Sequence, residues 1–483
     1  MLMVSDEPGL QRPAKPTSAV PTHPRRRVPT WVYIVLTGVI GVGAPLAAYL
    51  SLYALLGWDV TSFAHVLVVV ALLFTATAIW FECLLAMRAT VVPDRPIGPP
   101  PPATALIAAY LPNEAGIILD TVRSLLAQDY PGPLQVILAY NTPEPMAVEA
   151  ELWELAAEDP RFLPLFVEGS RSKAQNIDRA LDSITGQLVG VFDADHQPMP
   201  DALLRAWCWL ADGADVVQGH CVVRNGTDSK VSRLVATEFE QIYALSHPGR
   251  ASLHGWGIFG GSNGYWRTNV LRSVGFDPSM LTEDIDASLR CLRHGGLIVS
   301  DPGLLSFELA TVTWSQLWRQ RMRWAQGWFQ ASTRHLWPML TTDHLSVRNE
   351  IGALKLLGWR EVYPWISLQI WPLLAFALIV DGGIDWWQPL WLATAAFTVI
   401  TGPAQVLIVM KVADPSIPRR WFWRYGLMAP FYVEYKNTIS RVAQLREIVG
   451  EDEWIVTPRG VASSVEPDLD PLEGLPDREL SSV

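Results

Sequence analysis

The sequence contains little cysteine, and its few cysteines are widely spaced. Cys83, Cys208, Cys221 and Cys291 include no pair at the short spacing that is typical of a zinc site. A disulfide framework is typical of small secreted domains with many closely spaced cysteines, which this chain is not. We therefore expect reduced thiols in a cytosolic setting, with neither a structural zinc ion nor disulfide bonds.

The sequence also lacks an excess of positive charge and an apolar leader. Its net charge is -11, with 37 Lys and Arg against 48 Asp and Glu, whereas binding to nucleic-acid phosphates requires a basic field. A nucleic-acid partner is therefore not expected. Residues 1–24 are polar and rich in proline, so we expect no secretory signal and a disordered head over residues 1–30.

Apolar residues are abundant, since they make up 50% of the chain, which contains 22 Trp but only 18% charged residues. Residues 31–56 and 63–87 are two nearly uncharged runs, and residues 362–380 and 386–410 form a second pair. A helix crosses the apolar core of a bilayer with about 20 residues. The sequence thus predicts two pairs of transmembrane helices, in segments 31–88 and 362–410.

Basic residues next to these runs predict their orientation. Arg25, Arg26 and Arg27 precede the first run, Arg88 follows the second, and Lys411 follows the fourth. By the positive-inside rule, both termini and the region between the two pairs should be cytoplasmic.

Glu82 is the one acid within the second run. An intramembrane carboxylate can be functional. Because Glu82 lies near the cytoplasmic end of the run, an interfacial side chain is the favoured interpretation.

A change of composition marks a domain between the two pairs. Residues 93–102 hold six prolines, which favour an extended linker over residues 89–102. Beyond it, short apolar runs alternate with amphipathic stretches, as in a doubly wound parallel α/β sheet. Strands are predicted at residues 105–111, 134–140, 162–166 and 188–192, and helices at 116–127, 146–157 and 173–184.

The last part of the chain is polar again. Residues 421–435 are rich in aromatic residues but include Arg424 and Glu434, so an interfacial helix is favoured over a fifth span. We expect a cytoplasmic or interfacial segment over residues 411–460 and a disordered acidic tail over residues 461–483.

Two acids end an apolar run at residues 189–196. Asp193 and Asp195 flank one alanine, so in an extended segment both side chains point the same way and could share a divalent cation. The alternative is that acids at a strand end are ordinary turn residues. His196 could be a further metal ligand, although a supporting or packing role is favoured.

Two more polar clusters follow. In Thr282, Glu283 and Asp284, the acids could simply complement the dipole of a helix start, or Asp284 could be a general base. Gln320, Arg323 and Trp324 could lie on an amphipathic helix at the membrane surface, within interfacial helices over residues 313–361. Alternatively, Arg323 could pair with a diphosphate while Trp324 forms a flat platform for a sugar.

The order and spacing of these three clusters resemble the membrane-integrated family-2 glycosyltransferases, which include cellulose synthase, hyaluronan synthase and smaller bacterial relatives. The resemblance covers residues 31–459. It implies an α/β, GT-A (Rossmann-like) glycosyltransferase domain at residues 103–312, inserted between two pairs of transmembrane helices, with amphipathic interface helices. It further implies Mg or Mn on Asp193 and Asp195, a catalytic base at Asp284 within the Thr282–Asp284 motif, and diphosphate and acceptor contacts from Gln320, Arg323 and Trp324.

Shorter segments agree with this resemblance. Pro112 and Glu114 lie in a segment similar to the family's first nucleotide loop, and Lys173 in one similar to its donor-binding segment. Gly261, Ser262 and Asn263 match the glycine-rich loop that precedes the catalytic acid, where small residues let a sugar approach the backbone. The ending with Trp454, Thr457, Pro458 and Arg459 also resembles the family.

One departure affects the donor. The family carries an aspartate at the end of the second strand, where this chain has Asn141. An amide both donates and accepts hydrogen bonds, so the preference among uracil, guanine and other bases stays open. UDP-glucose leads as the expected donor, with GDP-mannose close behind because of Asn141.

The expected partners are thus a nucleotide-sugar donor, a lipid or glycan acceptor and the bilayer. Four spans are few for a one-chain secretion channel, so transfer of one or a few sugars and a pore-forming homo-oligomer both stay open. A non-catalytic membrane scaffold or transport component is the alternative from another class.

Overall fold

The computed structural model describes residues 28–88 and 90–451. Almost all of the predicted head, the whole predicted tail and the ending with Trp454 and Arg459 lie outside the described residues.

One eight-stranded sheet forms the centre of the domain that follows the apolar helix Thr61–Ala86. Its strands are β1 (Ala103–Tyr110), β2 (Leu134–Asn141), β3 (Phe162–Phe166), β4 (Leu188–Asp193), β5 (Gln197–Pro198), β6 (Val216–Val223), β7 (Gly264–Arg267) and β8 (Ile298–Glu308). Their order is β3-β2-β1-β4-β7-β6-β8-β5. β1 pairs in parallel with β2 and β4, and β2 pairs in parallel with β3. The four predicted strands and their parallel arrangement are thereby confirmed.

The other half of the sheet differs from the prediction of a wholly parallel sheet. β7 runs antiparallel to both of its neighbours, β4 and β6. The segment before β7 lies beside the end of β4, where the backbone N–H of Asp193 donates to Ser262 Oγ over 2.9 Å. β7 therefore starts where β4 ends and must run in the opposite direction. The sheet is mixed for this reason.

Alternation along β1 explains how both faces of the sheet are covered. Leu106 and Ala108 belong to the hydrophobic core on one face, and Ala105 and Ile107 belong to the core on the other. All four are buried, as expected for a strand with helices on both sides.

The helices of the domain, in chain order, are Leu111–Glu114, Ile118–Leu126, Ala147–Glu158, Lys173–Ala180, Ala202–Ala211, Lys230–Phe239, His247–His254, Thr268–Val274 and Glu283–Arg293. A 3-10 turn spans Leu181–Ser183, and a π-helix, Glu240–Ser246, joins two of the α-helices. The three predicted helices are present, although the first and third are shorter than predicted.

Within residues 28–88 and 90–451, four helical segments are long and apolar enough to cross a membrane: Thr30–Leu56, Thr61–Ala86, Val347–Asp381 and Pro389–Val412. They flank the sheet domain in pairs, as predicted. The third begins 15 residues before the predicted start at Val362, because residues assigned to an interfacial helix continue into the span without a break. This segment contains two π-helical turns, Leu354–Trp359 and Ala377–Asp381.

Two long helices connect the sheet domain to the membrane segments. Trp314–Leu340 and Arg419–Val449 pack against each other, with Met322 buried among Ile439, Val442 and Ala443. Residues 421–435 are thus part of a longer helix that is not among the four candidate spans.

Candidate active site

At the carboxyl edge of the sheet, one lysine joins the Asp193 motif to the glycine-rich loop. Lys173 lies in the first turn of its helix, where Ser172 caps the N-terminus by accepting from Gln175 N. Its ammonium forms an ion pair with Asp193 and donates to the carbonyl of Gly261 over 2.6 Å. The end of β4 and the glycine-rich loop therefore meet at Lys173.

The charge of Lys173 depends on its acidic neighbours. Burial disfavours the ammonium, but the nearby carboxylates of Asp193, Glu283 and Asp284 raise the pKa of Lys173 above its ordinary value. The side chain therefore stays cationic and provides a fixed positive charge beside the predicted metal ligands.

Asp193, Asp195 and His196 offer ligand atoms that all lie within 4.8 Å of one another. Asp195 and His196 are buried, while Asp193 is partly exposed. Two carboxylates and an imidazole are a donor set that fits Mg²⁺ or Mn²⁺. The residues therefore fit a divalent cation, and Asp193 could be one of its ligands while still paired with Lys173.

His196 is also held by two neighbours that sequence reasoning missed. Its Nδ1 lies 2.9 Å from Ser306 Oγ and its Nε2 lies 3.0 Å from Glu308 Oε2. A metal-bound His196 would have to release one of these contacts, whereas a positioning role would keep both. Glu308 ends β8 as Asp193 ends β4, so an acid at a strand end is the signal that could have identified it.

Asp284 lies close against the glycine-rich loop. Gly261 has a φ of +94°, and a Cβ at this position would lie 2.8 Å from Asp284 Oδ2. Only glycine combines this backbone conformation with so close an approach. Burial and the neighbouring Glu283 carboxylate raise the pKa of Asp284 to about 7, although Lys173 and Arg323 oppose the shift.

The loop itself is held from below by Gln218, which sequence reasoning also missed. Gln218 is fully buried in β6; it accepts from Gly260 N over 2.7 Å and donates to Ser262 O over 3.1 Å. An isolated glutamine within an apolar strand gives no functional signal in the sequence.

Asn263 is placed differently from Gly261 and Ser262. It has a φ of 51° and is fully buried, with its amide donating to Leu304 O and its Oδ1 accepting from the Tyr265 hydroxyl, both over 2.9 Å. These contacts fix the loop within the fold. The acceptor contact expected of Asn263 stays a prediction.

The helix Trp314–Leu340 docks directly on the Thr282–Asp284 motif. A Cβ at Gly327 would lie 2.5 Å from Thr282 Cγ2, so glycine permits the close packing. Arg323 Nη1 donates to Leu281 O over 3.3 Å, which places the guanidinium beside the start of the Asp284 helix. The second and third motifs are thereby neighbours.

Trp324 and Gln320 contact Arg321, which the motif reasoning did not single out. Arg321 is buried, with its guanidinium carbon 4.2 Å from the centre of the Trp324 ring, and it pairs with Glu238 over 2.6 Å. Arg321 also donates to Gln320 Oε1 over 3.2 Å. Trp324 is half-buried, and its part in acceptor binding stays a prediction.

The predicted nucleotide residues lie at the same edge of the sheet. Asn141 ends β2, accepts from Asn176 Nδ2 over 2.8 Å and donates to Ser170 O over 3.1 Å. After β1, Pro112 is exposed, and Glu114 accepts from the backbone N–H of Tyr110 over 2.8 Å.

Residues 100–327 match the protein family described as glycosyltransferase like family 2. A poly-beta-1,6-N-acetyl-D-glucosamine synthase of Staphylococcus epidermidis is 26% identical over 248 residues, which are 50% of this chain and 58% of the relative. A beta-monoglucosyldiacylglycerol synthase of Synechocystis is 25% identical over 59% of this chain and 61% of the relative. A probable glucomannan 4-beta-mannosyltransferase of Oryza sativa is 24% identical over 59% of this chain and 48% of the relative. The chain thus spans about half the length of these curated relatives.

A mannosyltransferase from Pyrobaculum calidifontis, solved in complex with GDP-Man and Mn²⁺, has a similar fold. It is 19% identical, with a TM-score of 0.56, and the match covers 80% of this chain and 99% of that one.

Proposed function

Because residues 100–327 are a family-2 glycosyltransferase domain, we propose that the protein transfers a hexose from a nucleotide sugar to an acceptor with inversion at the anomeric carbon. The carrying observation is Asp284, whose carboxylate faces the glycine-rich loop with a pKa of about 7. A base with a pKa near the working pH is suited to take a proton from a hydroxyl.

In the proposed reaction, Asp284 accepts the proton of an acceptor hydroxyl. The acceptor oxygen forms a bond to the anomeric carbon while the bond from that carbon to the diphosphate oxygen breaks. The diphosphate leaves with the electron pair. Glu283 keeps the pKa of Asp284 high, and Thr282 positions the start of the helix.

The leaving diphosphate needs positive charge at the same edge of the sheet. A divalent cation held by Asp193 and Asp195 would supply electrostatic stabilisation of the leaving group. Lys173 and Arg323 supply fixed positive charges from the protein. Both lie near enough to Asp284 to lower its pKa, and Lys173 also pairs with Asp193. Preorganised charge of this kind is a major source of catalysis.

For the donor, we propose a UDP-hexose, with UDP-glucose favoured and GDP-mannose as a second candidate. Asn141 and Asn176 form a buried amide pair at the end of β2, where they could read a base by donating and accepting. The relatives named for mannose and glucose transfer support both candidates. A panel of UDP- and GDP-sugars distinguishes them.

For the cellular arrangement, we propose an integral membrane enzyme whose sheet domain and both termini are cytoplasmic, acting on a lipid-linked or growing glycan acceptor. The four candidate spans and the basic residues at their ends support this arrangement. We propose the same division of the chain as in the sequence analysis, with the catalytic domain at residues 103–312 between membrane segments 31–88 and 362–410.

The test is Asp284→Asn, which should abolish transfer while donor binding stays near that of the original protein. Asp212→Asn changes an exposed acid and serves as the matched control. Transfer by Asp284→Asn at close to the original rate would refute the assignment of the base. No Mn-dependent transfer or hydrolysis with any nucleotide sugar would favour the scaffold alternative.

A further inference from the structure

A cavity of about 230 Å³ lies between the sheet domain and the membrane helices. We call it the junction cavity. On the same scale, a cavity that holds one water molecule measures roughly 15 Å³. The wall of the junction cavity is formed by the Lys230–Phe239 helix, the π-helix Glu240–Ser246 and Arg250. The helices Pro389–Val412 and Arg419–Val449 complete it.

One side of the junction cavity carries a carboxylate shared by two cations. Glu238 accepts from Arg321 over 2.6 Å, from the Tyr432 hydroxyl over 2.8 Å and from Lys436 over 3.1 Å. Burial opposes ionisation of Glu238, but Arg321 and Lys436 lower its pKa to about 2. One negative charge therefore faces two positive charges, and this side is net positive.

A second charge cluster also consists of one carboxylate and two cations. Glu82 pairs with Lys355, and Arg250 Nε lies 3.7 Å from Glu82 Oε2. That distance is too long for a hydrogen bond, and the buried Arg250 Nε has no acceptor among the described residues. Arg250 borders the junction cavity, so a second net positive cluster brings an unused donor to it.

The remaining wall is part polar and part apolar. Gln241 donates to Gln405, and Tyr425 donates to Gln241 Oε1 over 3.0 Å. Gln405 lies about 10 Å from the end of its membrane helix, at a 1.5 Å rise per residue. Ile242, Ala429 and Val433 supply apolar surface, as a site for a polar group attached to an acyl chain requires.

The junction cavity is separated from the glycine-rich loop by one helix. Ile242 and Ser246 line the cavity, whereas Tyr243 lies on the other side of the same π-helix, with its hydroxyl 3.1 Å from a Cβ built at Gly260. π-helical turns are frequent at functional sites. A molecule held in the cavity would therefore lie close to Asp284 and to the membrane at once.

We propose that the junction cavity binds the anionic phosphate head group of a membrane lipid through Lys436 and Arg250. An ammonium carries three donors, so Lys436 can bind phosphate while still paired with Glu238. This inference rests on the proposed transferase function, since it assigns lipids that carry a phosphate and a separate hydroxyl as the acceptor class. The phosphate binds in the junction cavity, and the hydroxyl is the group that Asp284 deprotonates.

The experiment measures binding of short-chain phosphatidic acid, the matching phosphatidylcholine and inorganic phosphate to the full chain in an uncharged detergent. We expect phosphatidic acid to bind at least about 10-fold more tightly than phosphatidylcholine. Lys436→Met should weaken phosphatidic acid binding by about 10-fold, the scale of one charge-assisted hydrogen bond, and Lys436→Arg should restore it. Lys411→Met removes an exposed cation near the end of the helix Pro389–Val412 and should leave phosphatidic acid binding unchanged.

The outcomes separate the ligand sources and the two proposals. Competition by inorganic phosphate would show that the phosphate group itself is recognised, and binding of phosphatidic acid without such competition would assign the site to the lipid. Equal weakening in Lys411→Met, or no preference over phosphatidylcholine, would overturn the inference. Mn-dependent hydrolysis of nucleotide sugars, measured on the same samples, tests the transferase function separately.

Discussion

At the scale of single residues, Asp284 connects the electrostatics of the site to its chemistry. Its pKa of about 7 comes from burial and from Glu283, and Lys173 and Arg323 hold it from rising further. The carboxyl of Asp284, the proposed base, is therefore protonated in acid and loses its proton near neutral pH.

The rate of transfer should consequently fall as the pH drops below about 7, because protonated Asp284 cannot accept a proton. Lys173→Met removes a cation that lowers this pKa, so the acidic limb of the pH profile should move to higher pH. The measurement is kcat/KM against pH for both proteins. A limb that stays in place in Lys173→Met would contradict the assigned role of Lys173.

The same pKa has a consequence for stability. A carboxyl whose pKa is raised by folding contributes stability at low pH that is lost as the pH rises through the folded pKa. Asp284→Asn should therefore raise the melting temperature at pH 8 and change it little at pH 4, where the Asp284 carboxyl of the folded protein is already uncharged. A lower melting temperature at pH 8 would show that the ionised carboxylate is well satisfied in the fold.

Gly261 tests whether the close approach to Asp284 matters. Gly261→Ala should lower the rate by about 100-fold, since displacing a catalytic group by about 1 Å can cost that much. Gly213→Ala is a matched control, because Gly213 also has a positive φ of 113° but has no atom within 4 Å of a built Cβ. Similar losses in both variants would mean that backbone strain alone is responsible.

At the scale of secondary-structure elements, the helix Trp314–Leu340 packs against the start of the helix Glu283–Arg293, which carries the proposed base. Its contact depends on Gly327, where a Cβ would lie 2.7 Å from Thr282 N, a backbone atom that cannot rotate away. Gln330 also accepts from Leu281 N over 3.1 Å.

We expect Gly327→Ala to reduce transfer by at least about 10-fold by moving these two helices apart, with little effect on donor binding at Asp193 and Lys173. Gly426→Ala is the control on the neighbouring helix, since its Cβ would make only ordinary contacts at 3.7 Å. Steady-state kinetics and donor binding distinguish the two effects. Unchanged kcat in Gly327→Ala would show that the packing is not required.

At the scale of the whole molecule, Glu82 joins the candidate membrane helices to the sheet domain. It is buried and paired with Lys355 on the third span, and Gly249 of the sheet domain packs against its backbone, with 2.3 Å from a built Cβ to Glu82 O. The interfacial side chain favoured by the sequence is therefore a buried docking contact.

Breaking a buried ion pair by changing one partner costs roughly 3–5 kcal/mol. Glu82→Gln should accordingly make the detergent-solubilised protein melt at a lower temperature. The exchange Glu82→Lys with Lys355→Glu should recover part of this loss. If the exchange is no better than Glu82→Gln, the pair does not hold the two parts together.

Local patterns in the sequence determined the first four strands and the four candidate spans, and they singled out Asp193, Asp284 and Arg323 for the proposed site. Hydrophobic periodicity, apolar length and short acidic motifs are properties of neighbouring residues. Only the tertiary structure decided the antiparallel direction of β7, the early start of the third candidate span, and the contacts that Gln218, Glu308 and Glu82 make. These depend on contacts between residues far apart in the chain, such as Asp193 with Ser262, His196 with Glu308 and Glu82 with Lys355. Asp284 combines both: the motif indicates a carboxylate at a helix start, whereas burial in the fold and the charge of the neighbouring Glu283 carboxylate raise its pKa to about 7.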